Sequence, residues 1–228
     1  MQRRTDRTQY TIRIFNPNDI QPSLQYDLNQ LVYESLNIDF PNRNDSEKGA
    51  LMLRTSKTRV NPNRAVDGTA FNRKQAFARP IGIVALSGGA KPKPVMYITT
   101  ADNASSKYPW ILGSLERQAK LHCDSLLGRD LVSHRNRWLG LCSIHPEIRQ
   151  AFYDQRAPAT SLVAQFMSRT LATANPGQQC STWPASEETF FREMLTSSGF
   201  TPGAETVPTR MFGHLTEPVD LAQYTLAT

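Results

Sequence analysis

Hydrophobic and polar positions alternate at the start of the chain. Residues 10–15 (Tyr-Thr-Ile-Arg-Ile-Phe) mix β-branched and polar side chains in turn, which is typical of a strand with one buried face. The polar run 16–19 (Asn-Pro-Asn-Asp) predicts a turn directly after it. Apolar residues then recur at helical spacing from Ile20 to Leu36, with Asp19 available as the N-cap. This part of the chain is therefore predicted to form a strand, a turn and a helix.

Later apolar runs and helical periodicities predict a hairpin, three more helices and four more strands. The hairpin strands are predicted at 81–86 and 95–99, the helices at 111–128, 159–174 and 187–198, and the other strands at 138–144, 179–183, 205–212 and 222–227. Turn residues or glycines bound most of these segments, as helix ends and hairpins require. The connection between the strand ending at Ile144 and the next helix is predicted to be irregular.

A long polar segment interrupts this order. Residues 41–80 are rich in Asn, Arg, Lys, Ser and Thr and lack strong periodicity. Buried irregular backbone would leave polar groups unpaired, so the segment is either a mobile insertion or a flap that faces a substrate. The pattern does not choose between them.

The order of elements indicates the fold class. Strand, helix, insertion, hairpin, helix, strand, helix, strand, helix and two strands predict an α/β (α+β) domain, with helices packed on a mixed, mostly antiparallel central sheet. The chain has 228 residues, which suffices for one sizeable core. We therefore expect residues 1–228 to form a single domain that carries the polar insertion.

Composition excludes several classes of protein. The 26 Lys and Arg exceed the 20 Asp and Glu, giving a net charge of +6, but they are scattered, so a dedicated nucleic-acid binder is not indicated. No apolar stretch approaches the roughly 18 residues of a membrane-spanning helix. The three cysteines lack the spacing of a zinc site or a disulfide framework. We expect a soluble cytoplasmic protein with reduced thiols.

Candidate chemistry concentrates before and within the helix near residue 159. Its first turn, residues 157–161 (Ala-Pro-Ala-Thr-Ser), is made of small residues that let an anion approach the free amides at a positive helix end. Arg149 and Arg156 precede it and could bind phosphate. The alternative is that Thr160 or Ser161 caps an ordinary core helix while both arginines face water.

Four segments, taken in order, resemble the GCN5-related N-acetyltransferase (GNAT) superfamily. Residues 11–20 are similar to its first strand and turn, and residues 139–149 (Leu-Gly-Leu-Cys-Ser-Ile-His-Pro-Glu-Ile-Arg) to its fourth strand with a hydrophobic-His-Pro step. Residues 157–163 lie where the family has its pyrophosphate loop, and 190–200 resemble its last helix with a Gly-Phe exit.

The resemblance implies a splayed sheet that binds acetyl-CoA or another acyl-CoA. The strand ending at Ile144 would offer free main-chain groups to the pantetheine arm, with the thioester carbonyl polarised near residues 142–144. The residues implied in binding the cofactor are Cys142, Ser143, Ile144, Arg149, Arg156, Ala157, Ala159, Thr160 and Ser161.

The chain departs from the family pattern in the phosphate loop and in the general acid. Residues 150–154 lengthen the connection to the loop, Pro158 lacks an amide hydrogen, and the last helix has phenylalanines where many members have a proton-donating tyrosine. His145 and Glu147 at the strand end, and Tyr153 in the extra connection, are the candidate replacements. A buried Cys142 thiol would be inert, so a covalent acyl-cysteine is not expected.

The resemblance implies an acyl-CoA-dependent N-acyltransferase that passes an acetyl group to a small-molecule amine in a ternary complex. One alternative keeps the fold with altered or lost transferase chemistry, as a ligand-binding protein or an enzyme of another reaction. A second is a non-enzymatic basic interaction domain. The sequence leaves open the acceptor, the acyl length and the oligomeric state, monomer or homodimer.

Overall fold

A computed structural model describes residues 10–15, 21–48, 81–101, 136–140, 142–209, 217 and 219–226. The strands are β1 (Thr11–Phe15), β2 (Ile81–Leu86), β3 (Pro94–Ala101), β4 (Asn136–Leu139), β5 (Ser143–Ile144), β6 (Gln179–Thr182), β7 (Thr201–Thr209) and β8 (Val219–Leu226). The main helices are α1 (Pro22–Asp39), α2 (Pro146–Tyr153), α3 (Ala157–Leu171) and α4 (Thr189–Ser197). The helix predicted at 111–128 and most of the insertion predicted at 41–80 lie outside the described residues.

The described strands form one sheet in the order β1-β2-β3-β4-β6-β8-β7, with β5 also paired to β3. The pairing of β4 with β6 is parallel, and the other described pairings are antiparallel. The predicted fold class, a mixed and mostly antiparallel sheet flanked by helices, is confirmed.

Helices cover both faces of the sheet. On one face, Met96 and Ile98 of β3 belong to a buried cluster with apolar residues of α3 and α4, such as Phe166 and Phe190. The side chain of Tyr97 alternates with these and faces the other way, where α1 packs on β3 and β5. This sandwich positions the end of α1 beside the short strand β5.

Helix α1 differs from its prediction at both ends. It begins at Pro22 with Gln21 as the N-cap, two residues after the predicted start, because proline is preorganised for the first helical turn. The predicted N-cap, Asp19, lies outside the described residues. Its last residue is Asp39, beyond the predicted end at Leu36. The additional turn brings a buried carboxylate to the sheet.

The connection predicted to be irregular is a helix, α2. His145 is its N-cap, and the imidazole accepts a hydrogen bond from the Glu147 amide (3.3 Å). Pro146 follows at the first helical position, and Ile148 and Phe152 are one turn apart and pack in the core. The prediction was wrong because the polar residues between them hid this short apolar face.

Other elements are confirmed with shifted bounds. The strand predicted at 138–144 is present as β4 and β5, separated around Gly140, whose amide still donates to the Thr99 carbonyl (2.7 Å). The strand predicted at 205–212 is β7, which begins at Thr201. None of the helices in the described ranges combines the length and the apolar character that crossing a membrane requires.

Candidate functional site

The sheet splits beside its central strand. β4 pairs with β6 from Asn136 to Trp138. Beyond Leu139 the chain stays beside β3 as β5, whereas β6 ends at Thr182, whose hydroxyl donates to the Leu139 carbonyl (2.9 Å). Within the described strands, β5 pairs with β3 alone. The other side of β5 is therefore the place where a ligand could meet main-chain groups.

The main-chain groups of Ile144 point into this split, but protein atoms engage both of them. The neighbouring His145 amide bonds to Val95 of β3, so the Ile144 groups face away from β3 in the antiparallel alternation. The Ile144 N–H donates to Ser35 Oγ (3.3 Å), and its carbonyl accepts from Arg149 Nε (3.2 Å). The expectation of free main-chain groups at Ile144 is therefore wrong in this structure.

Arg149 makes several of the contacts that engage this side of β5. Its side chain is buried, and the guanidinium forms a two-pronged ion pair with Asp39, with Nη2 2.8 Å from Oδ2. Nη2 also donates to Ser35 Oγ, and the guanidinium lies 5.6 Å from the centroid of the Phe190 ring, a cation–π distance. These contacts engage most of the Arg149 donors inside the protein, and its role in phosphate binding stays a prediction.

The start of α3 offers few amides to a phosphate. Pro158 has no N–H, and the amides of Ala159 and Thr160 both donate to the Arg156 carbonyl (3.0 and 3.2 Å). The Thr160 hydroxyl donates to the Ala157 carbonyl (3.1 Å). A helix end binds anions most readily through amides without protein partners, and the Ala159 and Thr160 amides have such partners. Phosphate binding by Ala157, Ala159 and Thr160 stays a prediction.

Two exposed side chains remain available at this end. The Ser161 hydroxyl accepts a hydrogen bond from Gln165 on the surface of α3 (2.9 Å), and Arg156 forms an exposed ion pair with Asp154 (2.8 Å). Exposed ion pairs contribute little, so solvent or an anion competes with them readily. The roles of Arg156 and Ser161 in phosphate binding stay predictions.

Cys142 and Ser143 are buried in the core. Cys142 is 1% exposed, and burial raises the pKa of its thiol far above the ordinary value. Such a thiol is a poor nucleophile. The Ser143 hydroxyl is also buried and has no hydrogen-bond partner among the described residues.

A cavity of about 290 Å³ lies between the end of α1, α2 and the start of α4. We place it at the mouth of the split because Arg149, which lines it, bonds to the Ile144 carbonyl. Arg149 and Phe190 line it, together with Glu187 and Tyr153. Tyr153 is 48% exposed, and its ring packs edge-on against Phe190 with centroids 5.4 Å apart. Burial, and next the Glu193 carboxylate, raise the pKa of the Tyr153 phenol. It therefore stays protonated at neutral pH.

His145 and Glu147 line a different cavity of about 390 Å³. It lies between α1, the end of β2 and the start of β3. His145 Nδ1 accepts the Glu147 amide, and Nε2 lies 3.9 Å from Glu34. An accepting Nδ1 leaves the ring hydrogen of a neutral imidazole on Nε2. The three candidate catalytic residues are thus separated, since Tyr153 lines the cavity of about 290 Å³ and the other two line this one.

Sequence reasoning missed Ser35 and Asp39. Both are buried on α1, at positions that continue its apolar stripe of Leu28, Leu31, Val32 and Leu36. Polar residues inside such a stripe are the signal that could have identified them, because a buried carboxylate needs a partner.

Comparisons with known proteins yield similar structures only. No family model matches the chain, and no curated protein matches it. A Salmonella typhimurium protein, yncA, assigned as an acetyltransferase and solved with its cofactor acetyl-CoA, is 16% identical, with a TM-score of 0.47 over 96% of this chain and 93% of that one. An N-acetyltransferase from Staphylococcus aureus Mu50 is 11% identical, with a TM-score of 0.43 over 96% of this chain and 99% of that one.

A third similar structure is a Desulfovibrio desulfuricans protein assigned to the GNAT family of acetyltransferases. It is 11% identical, with a TM-score of 0.44 over 96% of this chain and 99% of that one.

Proposed function

We propose that the protein is an acyl-CoA-dependent N-acyltransferase that passes an acyl group, such as acetyl, directly to a small-molecule amine. The observation that carries the proposal is the split between β5 and β6, with a cavity at its mouth that holds a protonated phenol. A cleft that holds an acyl donor beside an amine supplies much of the rate acceleration, because the reacting atoms are already positioned.

The cavity suits the thioester end of an acyl-CoA. The sites predicted for the pantetheine arm and the pyrophosphate suit those parts less well. A thioester needs a donor for its carbonyl oxygen and an acid for the departing sulfur, and Arg149 and Tyr153 both line the cavity. The groups at Ile144 and the amides at the start of α3 do not support the binding mode that the resemblance implies, because they bond to protein. In the proposed complex the cavity wall, rather than strand pairing, binds the pantetheine arm.

Tyr153 is the proposed proton donor. The helix in which many family members have a tyrosine carries Phe190 here, and the Tyr153 ring lies against that phenylalanine. A phenol with a raised pKa is protonated at neutral pH and can give its proton to a thiolate. The phenol would thus reach the same region from α2 instead of α4.

Acyl-CoA, when bound, supplies an activated carbonyl and a thiol leaving group. The amine nitrogen attacks the carbonyl carbon, the C–S bond breaks, and Tyr153 protonates the sulfur. The proton lost by the amine leaves through water. A neighbouring cavity of about 400 Å³ shares Asp39 and Glu187 with the first, and we assign it to the acceptor amine.

One set of observations favours a second function, a ligand-binding relative without transferase activity. The engaged groups at Ile144 and α3 are those that transferases of the resembled type would use for acyl-CoA. Calorimetry with acetyl-CoA, followed by a thiol-release assay over a panel of amines, separates the two. Micromolar binding with amine-dependent thiol release supports the transferase. Binding without release supports the second function, and no binding contradicts the proposed transferase.

A further inference from the structure

Arg149 has one N–H hydrogen that no described residue accepts. A guanidinium carries five N–H hydrogens, one on Nε and two on each Nη. Nε donates to Ile144, one Nη1 hydrogen to Asp39, and the two Nη2 hydrogens to Ser35 and Asp39. The second Nη1 hydrogen has no acceptor among the described residues, and Arg149 lines the cavity at the mouth of the split.

The main-chain donor that the resemblance implies for the thioester carbonyl is not available beside Arg149. That donor is a main-chain N–H near residues 142–144, but the Ile144 amide is bonded to Ser35. The free Arg149 hydrogen is carried by the guanidinium that also bonds the Ile144 carbonyl. One donor at this end of β5 is therefore engaged by protein, and a charged one beside it is available.

We propose that Arg149 is a catalytic residue that donates this N–H to the acyl carbonyl oxygen of the bound thioester. This inference rests on the proposed transferase function. As the amine nitrogen bonds to the carbonyl carbon and the C–S electron pair leaves with sulfur, negative charge grows on that oxygen, and the guanidinium stabilises it. Arg149 keeps all its protons throughout the reaction. The amine still loses its proton to water, and Tyr153 still protonates the sulfur.

The surroundings of Arg149 suit this role. Four hydrogen bonds and the Phe190 ring fix the guanidinium, so it does not reorganise as charge develops. A fixed donor in a water-poor site stabilises a developing oxyanion more than a mobile donor in solvent does. Asp39 and Ser35 act through Arg149 as positioning residues.

The test needs a variant that still folds. Removing Arg149 alone would leave the Asp39 charge buried without a cation, so the double variant Arg149→Gln/Asp39→Asn removes both charges together and leaves neutral amides in their place. Circular dichroism and thermal melting check that it folds. The matched control is Arg169→Gln, which removes an exposed arginine on α3, away from the cavity.

The first readout is the infrared carbonyl band of isotopically labelled acetyl-CoA. Binding to the wild-type protein should move the band to lower wavenumber, because the donor weakens the C=O bond. The double variant should lose this shift and Arg169→Gln should keep it. The second readout is thiol release, which should fall about 10²–10³-fold in the double variant, as for the loss of one oxyanion donor.

The outcomes separate this inference from the proposed function. A carbonyl shift that depends on Arg149 without amine-dependent turnover contradicts the transferase and the catalytic role, and it leaves Arg149 only as a donor to the bound thioester. Turnover with an unchanged carbonyl band in the folded double variant overturns the inference and leaves the transferase. Absence of acetyl-CoA binding to the wild-type protein overturns both.

Discussion

Arg149 on α2 forms a buried, two-pronged ion pair with Asp39 at the end of α1, across 110 positions of sequence. The pair joins α1 to α2, the helix that follows β5. Replacing a buried ion pair by neutral groups is often tolerated, whereas removing one partner leaves an uncompensated charge. The pair therefore constrains both the fold and the proposed site.

The first prediction concerns stability. Asp39→Ala should lower the free energy of unfolding by about 3–5 kcal/mol, because Arg149 then stays buried with no counter-charge. The double variant Arg149→Gln/Asp39→Asn should recover most of this loss. Urea denaturation followed by circular dichroism measures both. A loss below about 1 kcal/mol in the single variant, the size expected of an exposed pair, would contradict the role assigned to this contact.

The second prediction tests the proton donor. Tyr153→Phe should leave folding unchanged and lower kcat for thiol release about 10²–10⁴-fold, the usual contribution of general acid catalysis. KM for acetyl-CoA should stay the same, because only the hydroxyl is lost. The control is Tyr26→Phe, another exposed tyrosine. Equal kcat in the two variants would contradict the assignment.

The same phenol predicts a pH dependence. A proton donor works while it is protonated, so activity should fall as pH rises through the pKa of Tyr153. Burial and Glu193 raise that pKa above the ordinary value of 10.0, which places the alkaline fall above pH 10. Tyr153→Phe should lack this fall in its residual activity. A wild-type rate that declines between neutral pH and pH 9 would argue that another group titrates.

Local patterns were sufficient for much of the fold. The alternation at 10–15 predicts β1, and the continuous apolar run at 81–86 predicts β2, in which every residue from Gly82 to Leu86 is buried. The stripe of Leu162, Val163 and Phe166 likewise predicts α3. These elements are specified by neighbouring residues, so one sequence contains the whole signal.

The site could not be predicted in the same way. Whether the Ile144 main chain is free depends on Ser35 and on Arg149, and these three meet only when α1 and α2 pack on β5. Polar residues inside an apolar helix stripe show that a buried partner exists, but they do not say which cation it is. The motif assigns Arg149 to phosphate from its position alone, whereas its partners Ser35 and Asp39 lie on α1 and are found only in the folded structure.

The third prediction concerns the exposed arginine before α3. Arg156→Ala should weaken acetyl-CoA binding several-fold at low ionic strength, by removing a charge-assisted contact to phosphate. The difference should shrink in high salt because exposed charges are screened. Asp154→Asn should strengthen binding, since it releases Arg156 from its ion pair. Calorimetry at two salt concentrations measures this, with Arg169→Ala as control, and equal affinities for all variants would remove Arg156 from the phosphate site.

The last prediction separates the two roles considered for His145. Its Nδ1 accepts the Glu147 amide at the start of α2, so the lone pair that a general base would use is engaged in a helix cap. His145→Asn should keep the cap and the stability, because asparagine is among the best N-cap residues. His145→Ala should lose about 1 kcal/mol of stability. Thiol release per folded molecule should be unchanged in both variants, and a large fall in kcat for the stable His145→Asn protein would restore the imidazole to the chemistry.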